Sequence, residues 1–340
     1  MSDRYSILRP LTVVEQESLA VLMCTFFSPL NYWKNCELIG VEADKKVIRP
    51  LTFGDFMKYV NKVSGRDAYK YLYHLERMMQ KFVNSALFVY AGNTHKGTPP
   101  MSQCYYAQFE LTNMQKINHL WLGKVLGEEF IMEKYKSLIV RFEGVHRNGY
   151  SGTGSGILIN ESTILTCKHN LTDLTEYKCY IGDSEIKTAK HMFHDIHDIG
   201  IVKLEKETNL QIVPYFGPPY VLDNTLTMGY PPLRGMRDAA LISQKGEINA
   251  ISKDWQNCEC ITISSAVRPG NSGGPVISNS GYIVGIVTQY ANSASTVSAS
   301  KEDFKDHHSI PFYNAIASNE IVKILTQLDS SIPILYEDYQ

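Results

Sequence analysis

The stretch Gly270-Asn271-Ser272-Gly273-Gly274-Pro275 constrains this chain more than any other, because three glycines and a proline around one serine force a tight loop where strands meet. The segment Pro275-Val-Ile-Ser and the apolar run Tyr282-Ile-Val-Gly-Ile-Val-Thr follow at once, so the loop opens into strands instead of a polar linker. A serine hydroxyl is a poor nucleophile at neutral pH, and it needs a base beside it and amide donors for the oxyanion it creates. Gly270, two residues before Ser272, permits a bend that lets the N–H groups of Gly270 and Ser272 converge on one spot. The bland alternative is an ordinary Gly/Ser turn.

Two upstream segments supply candidates for the base and its orienter. Ile164-Leu-Thr-Cys-Lys-His169-Asn170 reads as a short apolar strand running into a histidine. His197-Asp198-Ile-Gly-Ile-Val-Lys-Leu204 places a carboxylate at the start of an alternating strand, and Asp195 is the alternative acid. Gly152-Thr-Gly-Ser-Gly156 is followed by a further strand and not by a helix, which argues against a phosphate-cradling loop.

With His169, Asp198 and Ser272 in that order, the three segments resemble those of the chymotrypsin-like serine peptidases, in particular the Deg/HtrA branch, over roughly residues 137–328. The resemblance implies two packed six-stranded barrels, with His169 as general base, Asp198 holding its tautomer, Ser272 attacking, and the amides of Gly270 and Ser272 as the oxyanion hole. It also implies a specificity pocket with Ala266 at its floor and Thr288, Gln289 and Tyr290 along its wall, suited to a small or medium apolar side chain before the cut. Asn271 stands where zymogen-activated relatives carry an aspartate, so activation by a new N-terminus is not expected. Near the end, His308-Ser-Ile-Pro311 and an amphipathic helix over 318–328 resemble the ending of the Deg/HtrA domain, with Ser318 or Asn319 as its expected cap.

At 340 residues and 44% apolar composition the chain can bury two cores without disulfides. The start Met-Ser-Asp-Arg-Tyr-Ser has no basic-then-apolar leader and no run is long enough to span a bilayer, which points to the cytoplasm and to no membrane partner. The seven cysteines are expected to be reduced, and Cys258 and Cys260 are read as pointing to opposite faces of a strand. His194, His197 and Asp198 lack a fourth partner at zinc spacing, so no metal and no cofactor is expected.

Residues 1–130 form a separate, mainly helical domain ahead of a peptidase domain at 131–340, with a linker expected within Gly127–Lys136. Leu19, Leu22, Met23 and Phe26 mark a first helix, and Thr52 with Asp55 caps a second. A third carries Leu72, Leu75, Met79 and Phe82, two strands flank the loop 91–103, and a last helix is expected from Asn113 through Leu126. That order is the outline of a winged helix, which raises nucleic acid as a partner. The region carries fifteen basic and twelve acidic residues, however, a balance that favours a regulatory protein partner over nucleic acid. The expected activity is a serine endopeptidase on a protein or peptide substrate, controlled through residues 1–130; by analogy of architecture a bacterial stress or antiviral defence setting suits it. The alternatives are a nucleic-acid-binding regulator carrying a protease-like module and an inactive scaffold.

Overall fold

The computed structural model describes residues 9–337 apart from 45, 66, 96, 108–110, 147–148, 234 and 291–311, and leaves aside the side chains of Lys116, Gln289 and Tyr290. The His308–Pro311 segment therefore lies outside the described residues. The chain divides into two compact units, one of residues 1–112 with 124–127, the other of 113–123 with 128–340.

In the first unit, helices α1 (Val13–Phe27) and α2 (Tyr32–Ile39) precede the short strand β1 (Leu51–Thr52) and helices α3 (Phe53–Ser64) and α4 (Leu72–Asn84). Strands β2 (Phe88–Asn93) and β3 (Gln103–Ala107) complete a sheet of order β1-β3-β2. Thr12 and Thr52 each close a capping box, with Glu15 and Asp55 reaching back, an arrangement that contributes about 1 kcal/mol per helix. Phe26, Phe27, Phe56, Phe82 and Phe88 are buried together, Phe82 stacking on Phe88 at 4.4 Å. This unit thus has its own aromatic core.

The helical run that follows, whose residues 113–123 belong to the second unit and 124–127 to the first, breaks where a single helix was expected. His119 adopts φ 55°, so α5 (Asn113–Asn118) ends there and a 3₁₀ turn leads to α6 (Gly123–Leu126). The stretch read as a linker is itself mostly α7 (Glu128–Tyr135), anchored by buried Phe130, Ile131 and Tyr135; the Tyr135 hydroxyl donates to the Gly281 carbonyl at 2.6 Å. Apolar residues three and four apart, Met132 and Ile131 with Tyr135, make it a helix.

Two β-layers follow. Strands β4 (Ile139–His146), β5 (Ser151–Asn160) and β6 (Thr163–Thr166) lead to the one-turn helix α8 (Lys168–Thr172), and then to β7 (Leu174–Ile181), β8 (Ser184–Ile186), β9 (Thr188–Phe193) and β10 (Gly200–Leu204). These seven strands form an antiparallel sheet of order β8-β7-β4-β5-β6-β10-β9. Strands β11 (Asn224–Gly229), β12 (Ile242–Lys253), β13 (Glu259–Ile263), β14 (Pro275–Ser278), β15 (Ile283–Tyr290) and β16 (Tyr313–Ala317) close a barrel of order β11-β12-β13-β16-β15-β14. The fold is chymotrypsin-like, but the expected pair of six-stranded barrels needs correcting: the first is a half-barrel sheet whose ends, β8 and β9, do not pair with each other. Helix α9 (Ser318–Leu328) buries Ile321, Ile324 and Leu325. Neither Ser318 nor Asn319 caps it, because Ser318 Oγ donates to the Gly217 carbonyl and Asn319 Nδ2 to Glu259.

Among the described residues no helix is long and apolar enough to cross a membrane. All seven cysteines are free thiols. Cys258 and Cys260 contradict the sequence reading, for their sulfurs and an Asp254 carboxylate oxygen lie within 4.8 Å of one another. Strand side chains alternate with a period of two, so residues two apart share a face.

Candidate active site

Strand β6 leads into Cys167 and, two residues on, His169. The histidine sits inside α8 and not in a loop, since the chain curls into that single turn directly after the strand. Pairing of β6 with β10 brings Thr166 opposite Gly200, which sets Asp198, just before β10, next to the imidazole. Asp198 accepts from His169 Nδ1 at 2.8 Å and from the His169 backbone N–H at 3.0 Å. Thr288 Oγ1 donates to the same carboxylate at 2.6 Å. Asp195 is exposed, and its carbonyl accepts from Lys168.

These contacts decide the proton's place on the ring. An ionised carboxylate only accepts, so Nδ1 carries hydrogen and Nε2 keeps a lone pair. Burial opposes charge on both partners, but the hydrogen bond and charge each provides outweigh it. His169 is therefore raised above its ordinary value and Asp198 held below its own.

Ser272 lies on a loop pinned from the first sheet. Ser155 is the centre of this clamp: its N–H donates to the Ser272 carbonyl at 2.9 Å, and its hydroxyl donates to the Gly270 carbonyl at 2.6 Å while accepting from Tyr230 N–H. Asn170, directly after the histidine, donates to the Ser272 carbonyl at 2.8 Å. Gly270 has φ 97°, and Gly273 has φ 85° with no room for a side chain, since a Cβ there would meet the Ser155 carbonyl oxygen at 2.1 Å. The amides of Asn271, Gly273 and Gly274 bond to carbonyls, whereas those of Gly270 and Ser272 have no acceptor among the described residues. The Ser272 hydroxyl donates to the Thr288 carbonyl at 3.0 Å, and among the described residues no hydrogen bond joins it to His169.

The remaining predicted residues fall around this centre. Ala266 is exposed on the run between β13 and the loop, and Asn271 is buried with its Oδ1 unpartnered among the described residues. Gln289 and Tyr290 continue β15. Thr288, read as pocket wall, spends its hydroxyl on Asp198 and its carbonyl on Ser272. Cys167 is fully buried, its thiol donating to Val287. His194 and His197 stack at 4.8 Å, and His194 Nδ1 accepts the backbone amides of Ile196 and His197, a role in the turn. Ser155 and Asn170 are site residues that sequence reading passed over; the Gly-Ser-Gly pattern around Ser155 was the available signal.

Residues 154–286 match the family described as the trypsin-like peptidase domain. Over 153 residues the chain is 31% identical to the HhoB protein of Synechocystis sp., a match that covers 40% of this chain and 34% of that protein. It is 28% identical over 157 residues to the serine protease HTRA4 of Mus musculus, covering 41% of this chain and 30% of that protein. Residues 154–286 form a trypsin-like peptidase domain of the Deg/HtrA kind. The chain spans about a third of the length of these relatives. Among solved structures, a serine endoprotease from Yersinia pestis aligns with 59% of this chain and 66% of its own at 21% identity and a TM-score of 0.45. The Deg/HtrA-type domain carries Ser155, His169, Asp198 and Ser272 within its matched span.

Proposed function

We propose that the chain is a serine endopeptidase that hydrolyses peptide bonds of protein substrates through Ser272, His169 and Asp198. The observation that carries this reading is the His169–Asp198 pair, held so that Nε2 is the basic nitrogen. In the reaction Ser272 Oγ turns from the Thr288 carbonyl toward Nε2, transfers its proton there, and attacks the substrate carbonyl. The free amides of Gly270 and Ser272 take the oxyanion. The imidazolium, stabilised by Asp198, then protonates the leaving amine, and water releases the acyl group by the same steps in reverse. Exposed Ala266 brings no charge to the floor of the pocket, which supports cleavage after small or medium apolar residues.

Residues 1–130 serve as a binding region for a regulatory protein. Their separate aromatic core supports this, as does the local pairing of several basic side chains: Lys58 on Asp55, Lys62 on the Leu38 carbonyl, and Arg77 over Tyr73. The sheet order β1-β3-β2 with α4 just before the hairpin supports a winged-helix outline, whose nucleic-acid reading those pairings weaken. Seven free thiols support a reducing, cytoplasmic compartment. The test is hydrolysis of an unfolded protein such as casein by the full chain. Cleavage that disappears in folded Ser272→Ala is expected; equal cleavage by the two proteins would reject the proposal.

A further inference from the structure

A second constellation sits on the β12–β13 hairpin. Its turn is tight: Asn257 N–H donates to the Asp254 carbonyl, Asp254 N–H to the Cys258 carbonyl, and Asn257 takes φ 62°. Asp254 Oδ1 caps the turn by accepting the amides of Gln256 and Cys258, both at 2.8 Å. That folding back carries the carboxylate over the sulfurs, so one Asp254 oxygen and the Sγ atoms of Cys258 and Cys260 converge within 4.8 Å. Both cysteines are buried, 2% and 8% exposed, while Asp254 opens to solvent.

We propose that Asp254, Cys258 and Cys260 bind a thiophilic divalent cation of the zinc class. A tetrahedral zinc with sulfur at about 2.3 Å separates two sulfurs by roughly 3.8 Å, a spacing this cluster reaches with small side-chain adjustments. Glu320 stands in the first turn of α9, next to Asn319, whose amide donates to the Glu259 carboxylate between the two cysteines. Lys323, which pairs with Glu320 at 3.2 Å, is the opposing cation. Binding releases the two thiol protons to solvent and leaves one coordination position for water. A disulfide fits less well, because two residues of extended chain span about 6.6 Å between Cα atoms, the upper edge of what a disulfide tolerates.

Among the described residues the other triplet of this kind, Cys167, His169 and Asp198, belongs to the candidate active site. The hairpin cluster shares no residue with it, so this inference is independent of the peptidase reading.

The probe is cobalt(II), whose thiolate ligands give a charge-transfer band in the near ultraviolet, titrated into the reduced full chain. One equivalent is expected to produce the band, and Cys258→Ser or Cys260→Ser to remove it. Asp254→Asn keeps an oxygen to cap the turn but loses the charge, and is expected to weaken cobalt binding about tenfold or more. Should the cysteine variants fail to fold, zinc chloride added to the full chain is expected to raise its melting temperature, and to raise that of Asp254→Asn less. No band with the unaltered chain, a band that survives in the cysteine variants, or an equal zinc response with Asp254→Asn would each overturn the proposal.

Discussion

The two sides of the candidate active site are held in opposite ways. On one side, three donors fix Asp198, and Asp198 fixes His169 in a single tautomer. On the other, the backbone of the Ser272 loop is clamped by Ser155 and Asn170, yet the hydroxyl itself rests on the Thr288 carbonyl. On the proposed mechanism the difference separates organisation of the base from engagement of the nucleophile: the base would be set before substrate arrives, while the serine would have one rotation left to make. Thr288 touches both sides, its hydroxyl on the acid and its carbonyl on the serine.

Substitutions can break either side. Ser272→Ala and His169→Ala should each lower kcat on the order of 10⁶-fold, leaving the residual rate that the oxyanion amides and substrate binding supply, as steady-state hydrolysis of a peptide substrate would measure. Asp198→Asn should cost on the order of 10⁴-fold, because an amide can hold the ring yet favour the wrong tautomer. Asp195→Asn should change little, and the reverse result would make Asp195, not Asp198, the acid.

Smaller effects sharpen the contrast. Thr288→Val removes one hydrogen bond to a charged group, about 1.5–3 kcal/mol, so kcat should fall roughly tenfold to a hundredfold with KM little changed. A matching rise in KM with kcat unchanged would place Thr288 in substrate binding instead. The pH profile carries a sign as well. His169 cannot accept a proton while protonated, and its pKa is raised, so kcat/KM should fall as pH drops through a value above the ordinary 6.5. Removing the Asp198 charge withdraws that raising influence, and the acid limb of the residual activity of Asp198→Asn should move to lower pH.

What the sequence made legible was local. The nucleophile loop, the strand leading to His169 and the strand behind Asp198 are short patterns that name their own residues. What it hid was set at long range. Ser155 and Asn170 reach partners 115 and 102 residues away, and no local pattern declares such bonds. Likewise, the opening of the first sheet into a half-barrel depends on which edges pair, and Asn113–Leu126 looked continuous because periodicity does not register the left-handed turn at His119. The thiol pair at Cys258 and Cys260 was legible but misread, since a spacing of two places residues on one face.

The central claim, that His169 with its fixed tautomer can activate Ser272, is tested most directly by a fluorophosphonate, which reacts with a serine only when a working base and oxyanion donors surround it. Incubated with the full chain and mapped by peptide mass spectrometry, it is predicted to modify Ser272 alone, at a rate that collapses in His169→Ala. Modification at another residue, or undiminished labelling of Ser272 without the histidine, would contradict the account.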